Sequence, residues 1–160
     1  MEERGRPRTV TLFLASLWWY HRPADTHAAT MNTARFEVLV QKALDSLPEE
    51  FASLLDNVMI TVEPRPSHGL LRELGLRGGE TLFGLYEGIP QTERTTQYGL
   101  VPPDRIILFQ QPIEESASSE EEVEEQVHMT LLHEIAHHFG IDDRRLREIE
   151  RESRRKRGRH

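Results

Sequence analysis

The sequence predicts an α+β fold: a small antiparallel or mixed sheet of about three strands, packed with N-terminal helices and one long helix late in the chain. Three observations carry this. Apolar residues recur at helical spacing over residues 36–47 and again over 123–139. Between them lie short segments that alternate, or that proline bounds, in the manner of strands. The chain has 160 residues and 37% hydrophobic content, enough for one modest core.

Residues 1–30 read as a leader outside the domain. Arg4, Arg6 and Arg8 precede an apolar run from Val10 to Tyr20, which opens like a secretory signal. Trp18, Trp19, Tyr20, His21 and Arg22 then stand where a cleavage site needs small residues. Export is the alternative reading. The domain itself is expected over residues 31–150, starting at Met31 with Asn32 or Thr33 as a helix cap.

Phe36, Leu39, Val40, Ala43, Leu44 and Leu47 form one stripe of an amphipathic helix. Pro48 opens a second short helix through Leu55. Asn57 to Glu63 alternates and reads as a half-buried strand, stopped by Pro64 and Pro66. A helical turn is expected at Leu70–Leu74. Thr81 to Tyr86 is a second strand, interrupted by Gly84. Residues 88–104 hold three prolines and two glycines and read as a long loop, a kind usually functional or disordered. Arg105 to Gln110 is the third strand, bounded by Pro103 and Pro112.

Ser118 or Ser119 caps the last long helix, and Glu120, Glu121 and Glu122 suit its positive end. The acidic run is therefore read as helix initiation. Val123, Val127, Leu131, Ile135 and Phe139 form the buried stripe, widened by Leu132 and Ala136. Gly140 suits a left-handed stop. A short helix then docks by Leu146 and Ile149, and residues 151–160 fray as a basic tail.

Composition narrows the chemistry. With no cysteine, thiolate zinc, iron–sulfur clusters and cysteine nucleophiles are excluded, and any metal falls to His, Asp or Glu. The net charge of −7 is uneven: residues 31–143 carry −14 and residues 144–160 carry +6. An acidic body disfavours a nucleic-acid platform, and the Arg-rich end reads as a solvated face.

His133, Glu134 and His137 form the pattern H-E-x-x-H on the predicted long helix. Residues four apart share a helix face, so both imidazoles can meet one ion. Glu134 lies about 100° around the helix and suits a general base rather than a ligand. The pattern continues through Gly140 to Asp143 as H-E-x-x-H-x-x-G-x-x-D. Were the helix to continue, Asp143 would face away; a glycine turn lets the chain swing back and makes Asp143 a third ligand, or Asp142 if the turn differs. Three protein ligands and an open position mark a catalytic zinc. The short motif is expected by chance about once in 20 such sequences and the extended one about once in ten thousand. His128 and His138 are read as non-ligands.

This pattern resembles the zincin metallopeptidases, with the third-ligand extension of metzincins in its Asp form. More closely, the chain resembles a small bacterial family of minimal zincin-like metallopeptidases. The matching segments are Gly84 to Pro90, Thr92-Glu93-Arg94, Pro103 to Ile106 with Leu108-Phe109, Gln126-Val127, and His133 to Leu146. The resemblance covers about residues 35–148. It implies a zincin-like fold, soluble and cytoplasmic. All four methionines precede the motif, so the metzincin Met-turn has no counterpart.

The function that follows is a zinc-dependent peptidase: Zn²⁺ on His133, His137 and Asp143, Glu134 as general base, and a peptide or protein as substrate. An extended substrate could lie along a strand edge near Thr81–Tyr86 or Arg105–Gln110. Glu87, Arg94 and Tyr98, in or beside the long loop, are candidate substrate contacts. Glu87 is alternatively a partner that orients a ligand histidine. Neither nucleic acid nor membrane is expected as a partner. The rival function is a non-catalytic metal-binding or interaction module on the same core.

Overall fold

In a computed structural model of the chain, residues 30–76, 78–88 and 104–159 are described. Helix α1 (Thr33–Asp45) starts where Asn32, in an extended conformation, accepts the backbone N–H of Arg35. Its stripe of Phe36, Leu39, Val40 and Ala43 is buried. Pro48 then precedes α2 (Glu49–Ala52), which tightens into a 3₁₀ turn at Ser53–Leu55. Strand β1 (Val58–Glu63) follows, then α3 (His68–Glu73), capped by Ser67. Strands β2 (Gly84–Glu87) and β3 (Asp104–Phe109) complete a three-stranded sheet among the described residues, in the order β1-β3-β2. β1 runs parallel to β3 and β2 antiparallel to it, so the sheet is mixed.

β3 is central, and its side chains divide between two cores. Ile106 and Leu108 join the main core with α1 and the later helices. Ile107 and Phe109 join a smaller one, where Leu82 and Leu85 meet Leu70, Leu71 and Leu74 around α3. This is the period-two alternation of a strand covered on both faces. It also corrects one expectation: with β1 and β2 on either side, β3 offers no edge to a peptide. Of the two strands expected to offer an edge, β2 alone is at one among the described residues; β1 forms the opposite edge of the sheet.

Two further boundaries differ from expectation. The second strand begins at Gly84 rather than running through it from Thr81. A side chain at Gly84 would stand 2.6 Å from Thr130 Cγ2 and 3.2 Å from the Ile107 carbonyl oxygen, so glycine is what lets the strand approach the long helix. The third strand stops at Phe109, and Gln110 starts a short helix, α4 (Gln110–Glu115), that sequence reading missed. Pro112 stands third in it, within the first turn, where its missing N–H breaks no helical bond.

Helix α5 (Glu120–His138) starts as expected. Ser119 Oγ accepts the Glu122 N–H, and the Glu122 carboxylate accepts the Ser118 N–H at 2.7 Å. Val123, Val127, Leu131, Leu132, Ile135 and Ala136 are fully buried against α1 and the sheet. α5 stops at Gly140, whose φ is +69°. The Ile141 N–H reaches back to the Ala136 carbonyl at 2.9 Å, the six-to-one bond of a Schellman stop. Asp142 then caps α6 (Asp143–Arg157), which folds back along α5 and docks by Leu146 and Ile149. α6 continues well past the docking residues instead of fraying at residue 151. Arg, Glu and Lys are good helix formers, and Glu150–Arg154 and Glu152–Lys156 have the favourable i,i+4 order. Among the described residues, no helix is long and apolar enough to cross a membrane.

Gly84→Ala is expected to destabilise the fold by about 1–3 kcal/mol through overpacking against Thr130. Urea unfolding checks this; a change within error would mean that α5 and β2 can separate at no cost.

Candidate functional site

The stripe that buries α5 fixes where its polar residues point. Glu134 is turned toward β2, whereas His133 meets α6. The Glu134 side chain is almost wholly buried, at 2% exposure. Its Oε2 accepts the backbone N–H of Tyr86 at 3.1 Å. Phe109 donates its N–H to the Phe83 carbonyl, so by antiparallel alternation the Tyr86 N–H lies on the side of β2 away from β3. The other oxygen, Oε1, is buried with no hydrogen-bond partner among the described residues. Burial pushes this carboxyl up to about 7, against the Tyr86 N–H, which favours the charged form.

His133 and His137 lie one turn apart, with ring centroids 6.2 Å from each other. The His133 Nε2 stands 2.9 Å from Oε1 of Glu150 on α6. Burial holds His133 below the ordinary imidazole range; Glu150 pulls the other way, and Asp143 adds to that pull. A neutral imidazole is the form that ligates metal. Asp143 is the first residue of α6 and is exposed. Asp142 accepts the Arg145 N–H at 2.8 Å as the helix cap, which leaves Asp143 the carboxylate not used in capping. Among the described residues, no three such side chains stand converged tightly enough to hold an ion as they are. In kind, the donors fit zinc: two imidazoles on one helix face, carboxylates beside them, and a buried acid whose second oxygen has no protein partner among the described residues.

Sequence reading missed Glu150, which falls outside the motif and whose nearness depends on how α6 folds back. It also missed a buried cluster next to the site. The Tyr86 hydroxyl donates to Asp104 Oδ2 at 2.9 Å, His138 Nε2 lies 3.5 Å from that same oxygen, and the His138 ring stacks on Tyr86 with centroids 3.6 Å apart. His138 thus faces away from His133, as the helical wheel suggests. His128 faces α1, where its Nδ1 meets Ser46 Oγ at 2.9 Å. Glu87 is tied across the sheet to Arg105, whose Nε and Nη2 reach its Oε2 at 3.0 and 2.5 Å. Arg94 and Tyr98 lie outside the described residues.

Residues 55–153 match the family model described as zincin-like metallopeptidase. No curated protein matches the chain. Among solved structures, a conserved hypothetical protein from Thermo thermophilus is similar, with 26% identity over 68% of this chain and 94% of that one, at a TM-score of 0.47.

The raised pKa of Glu134 ties the stability of the fold to pH. The folded chain binds this proton more tightly than the unfolded chain, whose carboxyl lies near 4.5. The stability it contributes is therefore intact below that pH and is lost as pH rises through about 7. In chelator-treated protein, Glu134→Gln should gain on wild type by on the order of 3 kcal/mol between pH 4 and pH 8. Urea unfolding at the two pH values checks this, and a difference that does not vary with pH would contradict it.

Proposed function

Because the chain belongs to the zincin-like metallopeptidase family, we propose that it is a zinc-dependent peptidase whose general base is Glu134. The observation that carries this reading is the Glu134 carboxylate itself: buried, held by one oxygen on the Tyr86 N–H, its other oxygen without a hydrogen-bond partner among the described residues, and next to the imidazole pair on α5. A purely structural glutamate would gain from having both oxygens satisfied, since an unpaired buried acceptor costs about 1–3 kcal/mol.

His133 and His137, with Asp143 from the start of α6, are the residues that would hold the ion. Bound there, zinc would supply a Lewis acid for the scissile carbonyl and make a water more acidic. The protein's own groups do the rest. Glu134, pushed up to about 7, is poised to take a proton from the attacking water at Oε1 and pass it to the leaving amine. The Tyr86 N–H fixes which oxygen is presented. On the outer edge of β2 an extended peptide would pair with strand backbone in competition with Glu134 for the Tyr86 N–H. Arg94 and Tyr98 remain proposed substrate contacts, as does Glu87, which Arg105 anchors at the end of β2. The acidic body disfavours nucleic acid as a partner.

Glu134→Gln is expected to retain one zinc per chain and to lose peptide hydrolysis by about 10²–10⁴-fold. His133→Ala and His137→Ala should lose the zinc itself. Metal analysis paired with cleavage of a mixed peptide library checks both. Stoichiometric zinc with no cleavage by wild type would favour the non-catalytic module, and no zinc in wild type after zinc-replete purification would end the metal reading.

A further inference from the structure

Helix α6 brings a second carboxylate to the imidazoles, from outside the sequence motif. Glu150 lies about two turns beyond Asp143, next to the buried Ile149 by which α6 docks on α5. Its Oε1 is 2.9 Å from His133 Nε2, and the two side chains are only 16% and 15% exposed. Asp143, in contrast, is exposed at the start of the helix.

Which ring nitrogen Glu150 meets matters. A histidine that ligates through Nε2 finds its orienting partner at Nδ1. A carboxylate against Nε2 stands on the ligand side instead. Distance agrees with that position. Nitrogen and oxygen donors about 2.0–2.2 Å from one tetrahedral zinc are roughly 3.3 Å apart. The observed pair therefore needs to open by only about 0.4 Å to share an ion.

We propose that Glu150 is a zinc ligand of the resting site, on the side of the ion that faces α6. The inference rests on the zinc reading above and adds a donor to it. With His133, His137 and Asp143, Glu150 would bring the donors available to a bound zinc to four, a closed set like that of a structural site. Release of Glu150 would then free the position that a catalytic zinc keeps open, which would make α6 more than a support for α5.

The test compares wild type, Glu150→Gln and Glu150→Ala. Zinc affinity is measured by competition with a chromophoric chelator, and the coordination shell is read from the visible absorption of cobalt(II) bound in place of zinc. Glutamine keeps the size and an acceptor for the imidazole but is a poor zinc donor. Melting of the chelator-treated proteins confirms folding. Zinc binding weakened by about tenfold or more, together with cobalt bands changed in position or intensity, is the expected result. Loss of affinity with unchanged bands would make Glu150 a positioning residue only, since such partners are themselves worth about 10–100-fold, and would overturn the proposal. Unchanged affinity and bands would overturn it as well, while leaving a wild type that binds one zinc intact as a zinc protein. A wild type without zinc would remove both readings. Should Glu150→Gln fail to fold, Glu150→Asp, which shortens the donor's reach, is judged by the same two measurements.

Discussion

The rotation of α5 about its own axis is fixed by side chains that have no exposure at all: Val123, Val127, Leu131 and Ile135, with Leu132 and Ala136 beside them. A helix locked along four turns cannot turn a polar residue toward a better partner. The positions of His133, Glu134, His137 and His138 are therefore decided by apolar packing against α1 and the sheet. Glu134 is committed to β2 and His133 to α6. Burial of the Glu134 carboxylate, which lifts its pKa, is a consequence of that commitment. The energy that places the chemistry comes from the hydrophobic stripe and not from the polar groups.

The glycines at the borders of α5 serve the same constraint. Gly84 lets β2 come close enough for the Tyr86 N–H to reach Glu134. Gly140 ends the helix in a left-handed turn, so α6 can return along the face that bears His133. One is needed for its missing side chain and the other for its backbone freedom. Helix α5 thus lies between a strand that holds its acid and a helix that approaches its imidazole.

Much of this was legible in the sequence, for reasons that can be stated residue by residue. The stripes of α1 and α5, the Ser119 cap and the Gly140 stop depend on local spacing, which one chain displays. The extended motif marked His133, Glu134 and His137 because they are neighbours on a helix. What was not legible depends on tertiary placement. The centrality of β3 required knowing that β1 pairs with it in parallel across a long connection. Helix α4 was hidden by Pro112, which reads as a strand stop although the first turn of a helix tolerates it. The nearness of Glu150 to His133 follows from the pitch and docking of α6, and nothing in the spacing of residues 143–150 announces it. Asp104, His138 and Tyr86 come together from β3, α5 and β2, and polar clusters of that kind leave no periodic trace.

Three of the attachments of Tyr86 bear on the site. Its backbone N–H holds Glu134, its ring lies flat on His138, and its hydroxyl reaches Asp104. The first of these uses the outer side of β2, the same line of backbone groups that an added strand would seek. A chain laid along that edge must share or displace the bond that orients the carboxylate. In the proposed mode of binding, edge occupancy and acid orientation would then be a single mechanical variable, with the strand as the lever between them.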